Sequence, residues 1–309
     1  MFFSLRRFMH QLLICVILEE RNNIVRTHSV KNGQIIEMDE KTFDSQDRLI
    51  AYIQSLIKNT QLYYISVFFS DVSQGIFLES IHNTNKQNEM KNIQYLNIEN
   101  MQIYASLKSI EQYKKIFTGG GVDFIFSPFA LLHYCVKKEK ILNKDLITLC
   151  IYKHSDCIAV VIFKANKVVF GSFFETRMKE FPEIISDDKN EAIEEGLEFS
   201  IDEEYDVKEL DSMLKDKLEH LEEQQQNEKL EDFGNDMVVC RYIISSIEEF
   251  YNNPNYKSNF IDEFVIFDNE NISKATLEYI ENEIFLTPQV IKVDTLELMN
   301  ELMRKELKI

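Results

Sequence analysis

Apolar and polar positions alternate along this chain with two periods, and the switches between them lay out its elements. Leu12–Leu18, Ile24–Ser29 and Gln34–Met38 read as three strands, with turns at Glu20–Asn23 and Lys31-Asn32-Gly33. An Asn-Gly pair between alternating runs is a strong hairpin signal. Asp44-Ser45 then precedes a 3/4-spaced stripe of Leu49, Ile50, Ile53, Leu56 and Ile57, which predicts a helix. The unbroken apolar run Leu62–Phe69 has the length and composition of a parallel strand buried on both faces. Asn83–Asn92 is polar and loop-like. A strand over Asn97–Leu107, a short helix over Ile110–Phe117 and a brief strand Phe124–Phe126 follow. Ser127-Pro128 opens a helix through Phe129–Val136, with proline at its first position.

The second part of the chain starts again with strands. Residues 148–176 read as three consecutive strands, with turns at Lys153-His154-Ser155-Asp156 and Ala165-Asn166-Lys167. Val207–Asp232 carries a narrow apolar stripe, Leu210, Leu214, Leu218 and Leu221, expected to pack within the chain as a helix. Glu222–Asn227 is nearly all polar and reads as solvated. Met237–Tyr251 is a helix with Val238, Tyr242, Ile243, Ile247 and Phe250 on one face, stopped by Asn252-Asn253-Pro254-Asn255. A strand Phe264–Phe267, a helix Ile272–Glu283, a strand Val290–Val293 and a helix Thr295–Lys305 complete the order. Strands and helices interleave, which predicts an α/β class.

Composition narrows the function classes. The formal charge of the 309 residues is −18, yet 20 acidic against 5 basic residues fall between Glu183 and Asp232, so that segment holds most of it. No basic stripe is long enough to neutralise several phosphates, which argues against nucleic-acid binding. Cys15, Cys135, Cys150, Cys157 and Cys240 form no zinc spacing; they read as reduced, buried thiols of a cytosolic chain. Arg6-Arg7 and the apolar Leu12–Leu18 superficially suggest a signal peptide. No small-residue cleavage site follows, however, and the run is far short of the ~20 residues a spanning helix needs. It is expected to be the first strand behind a short basic-aromatic arm.

Several candidate constellations lack a necessary part. Thr118-Gly119-Gly120-Gly121 has no following Lys-Ser/Thr and reads as a connector from helix to strand. His154-Ser155-Asp156 is expected to be a solvated turn, since neighbours on a hairpin point apart and cannot act as nucleophile, base and orienter. The remaining histidines, His10, His28, His82, His133 and His220, form no metal spacing, and His133 is expected to be packed on its helix face. The acidic pairs Asp187-Asp188 and Asp202-Glu203-Glu204 read as a solvated face or a docking surface for a basic partner.

Two parts, each starting with three strands, resemble the duplicated actin, Hsp70 and sugar-kinase group. More narrowly, the order of elements is similar to PilM-type pilus-assembly proteins and to the cytoplasmic domain of the type II secretion L protein. The likeness is carried by the Arg-bearing helix Cys240–Tyr251, the strand Asp262–Phe267 and the following Ile272–Phe285 and Gln289–Val293. It implies a duplicated α/β fold with one half over 1–145, including a small inserted subdomain at about 70–126. The other half spans 146–309 and contains an acidic helical insertion at 183–236. The family's nucleotide loops are Gly-rich. Here the first phosphate turn holds Glu19, Glu20 and Asn22, the second Lys153, His154 and Asp156, and the adenosine loop Asp268 and Asn269. A backbone cradle for phosphate needs glycine for close approach, and carboxylates repel the ligand.

The implied protein is a non-enzymatic cytoplasmic adaptor with no catalytic residue, cofactor or metal. It is peripheral at the inner membrane, within a type IV pilus, type II secretion or DNA-uptake platform. Its implied partners are the cytoplasmic segment of a bitopic membrane protein and a secretion ATPase. The alternative is an active actin-like ATPase or sugar-kinase-type phosphotransferase with atypical phosphate loops, in which Asp156 or Asp268 serves the nucleotide. A third reading, an α/β protein outside this group, requires that the two strand triplets not mirror each other in space.

Overall fold

The computed structural model describes residues 8–19, 22–78, 92–117, 121–176, 223–256 and 258–309, with the backbone alone described at 223–235. The first sheet begins with the meander β1 (Gln11–Ile17), β2 (Asn23–Lys31) and β3 (Gln34–Phe43). Two parallel strands, β4 (Tyr63–Phe68) and β8 (Phe124–Phe126), extend it in the order β3-β2-β1-β4-β8. A second sheet repeats this plan. Its meander is β9 (Ile147–His154), β10 (Cys157–Lys164) and β11 (Lys167–Glu175), extended by the parallel strands β12 (Glu263–Asp268) and β13 (Gln289–Lys292) in the order β11-β10-β9-β12-β13.

The repetition reaches single residues. Lys31 faces Gln34 across the turn Asn32-Gly33, and Lys164 faces Lys167 across Ala165-Asn166. All four turn residues have positive φ, 54° and 75° in the first, 50° and 62° in the second. That is the primed hairpin geometry that follows the twist of the flanking strands. Both ladders then slip by one residue at the same distance from the turn, past Ile36 in one and Val169 in the other. The two triplets mirror each other, and the chain has the duplicated actin/Hsp70-like architecture.

Among the described residues each half supplies three helices. In the first half these are α1 (Gln46–Lys58), α2 (Leu107–Ile116) and α3 (Pro128–Lys138). In the second they are α4 (Glu223–Asn252), α5 (Lys274–Ile284) and α6 (Thr295–Leu307). Strand periodicity sorts the buried residues between layers. Leu12, Ile14 and Val16 of β1 face the outer core with Leu49 and Ile53 of α1. Ile147, Leu149 and Ile151 of β9 face the outer core with Ile243 and Ile247 of α4. The opposite faces, Leu13, Cys15 and Ile17 on one sheet and Cys150 and Tyr152 on the other, share one central core with Leu131 of α3 and Met299 of α6. That central core belongs to both halves at once.

Between β4 and β8 the chain makes a small antiparallel sheet from β5 (Gln74–Phe77), β6 (Ile93–Ile98) and β7 (Met101–Ser106), in the order β5-β7-β6. It lies over β11: a Cβ on Gly171 would stand 2.6 Å from Ile76 Cδ1, so only glycine permits the approach. Asn100 Nδ2 also donates to the Asn166 carbonyl in the β10–β11 turn.

Several expectations change. Asn97–Leu107 is not one strand but the second arm of a hairpin; the chain turns at Glu99-Asn100, with Glu99 at φ 49°. Strand β3 runs on to Phe43, paired throughout with β2. The helix expected at Met237–Tyr251 is the last part of α4, and the polar stretch at 223–227 is its first turn. The Leu210–Leu221 stripe, the acidic pairs at 187–188 and 202–204, and the 83–91 loop lie outside the described residues. So do Gly119 and Gly120, although Gly121 does fall between α2 and β8 as expected.

Candidate functional site

The parallel strands of both sheets end on one side of the molecule, at Ile17, Phe68 and Phe126 in the first and at His154, Asp268 and Lys292 in the second. Ligands of open α/β sheets bind beyond such carboxyl ends. The turn after β1 and the turn after β9 meet here. Ser155 Oγ donates to Glu19 Oε1 and lies 3.0 Å from His154 Nδ1. The His154 ring packs on Phe68 with centroids 4.6 Å apart. His154 is only 2% exposed, not solvated as its turn position suggested. Burial, helped by the Lys153 charge, pushes its pKa down to about 3, so the imidazole is neutral. Its neighbour Ser155 does reach it, against expectation. Even so, no relay forms, because the Glu19 carboxylate binds the serine hydroxyl and stands 3.6 Å from Nδ1. The turn is braced from behind: Thr176 N donates to the Asp156 carbonyl and Thr176 Oγ1 to that of Ser155.

Lys153 is also buried. Its Nζ stands 3.8 Å from Asp268 Oδ1 and 3.5 Å from Glu270 Oε2, so two carboxylates neutralise this cation at the end of β9. Asp268 has further duties. Its Oδ1 accepts from Glu270 N at 3.1 Å and its Oδ2 from Ile272 N at 2.8 Å, folding the loop after β12 upon itself. Asn269 N donates to the Lys153 carbonyl. Asn269 Oδ1 accepts from both the backbone N and the hydroxyl of Thr295 at 2.7 Å, and that hydroxyl also meets Tyr152. The start of α5 is closed as well. Ser273 caps it by accepting from Thr276 N, and Asp236 Oδ2 of α4 accepts from Ser273 N and from Thr276 Oγ1. A helix N-terminus that could receive an anion therefore already faces a buried carboxylate.

Five of the residues singled out in sequence, Glu19, Lys153, His154, Asp268 and Asn269, come together at this end, with Asp156 in the same turn as His154. Asn22 lies in the turn before β2, and Glu20 is outside the described residues. Phe68, Tyr152, Asp236 and Thr295 were missed. Asp236 follows the acidic segment and precedes an apolar run, so nothing in its local pattern separates it from the charges before it.

Below this end α3 and α6 cross. Tyr134 donates to Glu301 at 2.9 Å, Lys138 Nζ reaches both Glu301 oxygens at 2.8 Å, and Lys305 lies over the Tyr134 ring. Arg26 joins Glu40 at 2.6 Å and Asp294 at 2.7 Å, and His28 Nε2 meets Glu297 at 3.2 Å, tying the first sheet to α6. A groove of about 140 Å³ beside the crossing, lined by Lys138, Phe267, Val293 and Glu297 among others, is well below the roughly 300 Å³ of a small-molecule site. Among the described residues no group of three or more His, Cys, Asp or Glu is placed to hold a metal. His133 is buried on α3, and desolvation lowers its pKa. All five cysteines are buried free thiols, with Cys15 raised to about 12 by loss of water. No described helix is long and apolar enough to cross a membrane.

The duplicated sheets give this chain an actin-like fold, and the loops beyond its strand ends bind one another. The chain belongs to the family described as domain of unknown function (DUF8341), which matches residues 149–308, just over half of it. A second family, domain of unknown function (DUF8569), matches residues 8–133. None of the curated proteins matches. Among solved structures, the PilM-PilN type IV pilus biogenesis complex is similar over 96% of this chain and 94% of that one, at 10% identity and a TM-score of 0.51. A protein with actin-like ATPase fold and unknown function from Bacteroides thetaiotaomicron aligns over 96% and 97% at 11% identity, with a TM-score of 0.46. The cytoplasmic domain of EpsL, an inner membrane component of the type II secretion system of Vibrio cholerae, aligns over 54% and 71% at 10% identity, with a TM-score of 0.32. Of these three the first alone passes 0.5, and at its identity the likeness concerns the fold.

Proposed function

We propose that this protein is a non-enzymatic adaptor of an inner-membrane assembly platform, of the type IV pilus, type II secretion or DNA-uptake kind. It works at the cytoplasmic face, held there through its partners, and joins the cytoplasmic segment of a bitopic membrane protein to a secretion ATPase. The observation that carries this reading is the mutual occupation of the loops: Glu19 on Ser155, Lys153 between Asp268 and Glu270, and Asp236 on the start of α5. A nucleotide there would meet four carboxylates and no Gly-rich cradle. The fold shared with a PilM-PilN complex supports the kind of assembly. In this reading the halves divide between residues 145 and 146, with the inserted subdomain at about 70–126 and an acidic helical insertion at 183–236.

The test is recovery of partners from native membranes with the full chain as bait. The reading expects a bitopic protein with a short cytoplasmic tail, together with a secretion ATPase. Recovery of a soluble kinase substrate or of neither partner contradicts it. The rival, an active ATPase or sugar-kinase-type phosphotransferase, draws support from the buried Lys153, a cation where phosphates would lie. It requires turnover that Asp156→Ala or Asp268→Ala abolishes; a parent protein without turnover ends it.

A further inference from the structure

Strands β3 and β11 hold the same place in the two sheets, the outer edge of the meander. They differ in what covers them. β11 is half-buried under the small sheet, with Ile76 against Gly171. Along β3 every residue from Gln34 to Thr42 is exposed. The described edges elsewhere are shorter: β8 has three residues, β5 and β13 four and β6 six, whereas β3 has ten. Brevity and cover are the usual protections of a sheet edge, and a long bare edge offers unpaired N–H and C=O groups to any extended chain. Ile36 and Met38 stand on it at 58% and 59% exposure.

The charge of this edge selects the occupant. Glu37, Asp39 and Glu40 lie within four positions; Arg26 of β2 binds Glu40 at 2.6 Å and Lys41, the one cation of the strand, stands 3.4 Å from Asp39, so Glu37 is the acid that neither cation holds. A second copy pairing antiparallel sets acid against acid in each central register. A two-fold between Met38 and Asp39 opposes Glu37 to Glu40 and one on Met38 opposes Glu37 to Asp39; one on Asp39 opposes that residue to itself and is relieved only by setting Glu37 against Lys41. Like charges directly opposite are destabilising. A chain that alternates apolar residues with Lys or Arg satisfies the apolar positions and the acids together. The geometry points to β3 as a docking edge for an extended, apolar-and-basic segment of another protein, added as a sixth strand to the first sheet. This inference rests on the adaptor reading only for the existence of a protein partner.

The test uses a display library of random twelve-residue peptides selected on the full chain. Enriched peptides are expected to alternate apolar with basic residues. They should bind Glu37→Lys at least tenfold more weakly and lose binding to the Ile36→Lys/Met38→Lys double variant. These positions are exposed, so unchanged melting temperatures are expected to confirm folding. Bound peptide should slow amide exchange across residues 34–43 at least tenfold. The inference is overturned if no such pattern is enriched, if the variants bind as tightly, or if protection falls elsewhere. Protection of β3 that rises with protein concentration alone would mean a second copy and also overturn it. None of these outcomes bears on nucleotide binding or on recovery of membrane partners, so its failure is separable from failure of the adaptor reading.

Discussion

The two halves share a plan down to the bulge in the second hairpin of each meander, yet they are finished in opposite ways. The first half lends parts to the second: its small sheet covers β11, and its Glu19 closes on the turn of β9. The second half returns α6, whose Asp294 and Glu297 hold Arg26 and His28 of β2. What this teaches is that the strand ends are closed by exchange between the halves. Among the described residues β3 is the longest sheet edge left without cover. The central core and the meeting turns hold the halves together.

The largest expected effect concerns the shared core. Leu13→Ala removes a fully buried side chain from the core common to both sheets, which costs about 2–5 kcal/mol. Because that core joins the halves, thermal unfolding should remain a single transition at lower temperature; two separated transitions would break the comparison. Next comes the turn after β9. With its folded pKa pushed far below that of a free imidazole, His154 resists protonation that the unfolded chain accepts. Stability should therefore fall as pH drops below ~6.5, the slope approaching about 1.4 kcal/mol per unit once the unfolded imidazole is fully protonated. His154→Leu should flatten that slope in denaturation measured at pH 7 and pH 5.

Gly171→Val drives a side chain into Ile76 and should cost about 1–3 kcal/mol, with faster amide exchange in β5 and β7 than in β1. The two hairpin turns permit a paired test. Ala165 holds a left-handed conformation that suits glycine, so Ala165→Gly should stabilise by about 0.5–1 kcal/mol, whereas Gly33→Ala should destabilise by about 1 kcal/mol. Chemical denaturation reads both. The smallest effect belongs to Glu297. The hydrogen bond from His28 holds its carboxyl below the usual range. Its contribution is present above the unfolded value near 4.3 and is lost as pH falls through the lowered folded value. Solvent screening limits it to less than about 1 kcal/mol, visible as a shallower acid limb in Glu297→Gln.

Much of the fold was legible because its signals are local. Asn32-Gly33, Ser45, and Ser127-Pro128 each specify a turn or helix start by their own chemistry, and the structure places each where that chemistry requires. The doubled strand triplet was legible as order, although nothing in the sequence showed that both bulges would match. The β6–β7 hairpin was missed because Glu99 carries the positive φ that an Asn or Gly would have announced. At the candidate site the absent glycines were readable, and so was the gathering of loops that the resemblance implied. The burial of His154 was not. A polar residue in a four-residue turn reads as solvated, and only the approach of Glu19 and Phe68 from the other half removes its water. Asp236 was hidden for a similar reason, since its partners, Ser273 and Thr276, lie 37 and 40 residues away.

The adaptor proposal turns on the loops at the strand ends, where Glu19 holds Ser155 and Lys153 stands between Asp268 and Glu270. Calorimetric titration of the full chain with ATP and excess Mg²⁺ tests it most directly. The account predicts no saturable binding up to millimolar ATP, for the parent protein and for Asp268→Ala alike. Saturable binding with a micromolar dissociation constant, lost on substituting Asp156 or Asp268, would contradict it.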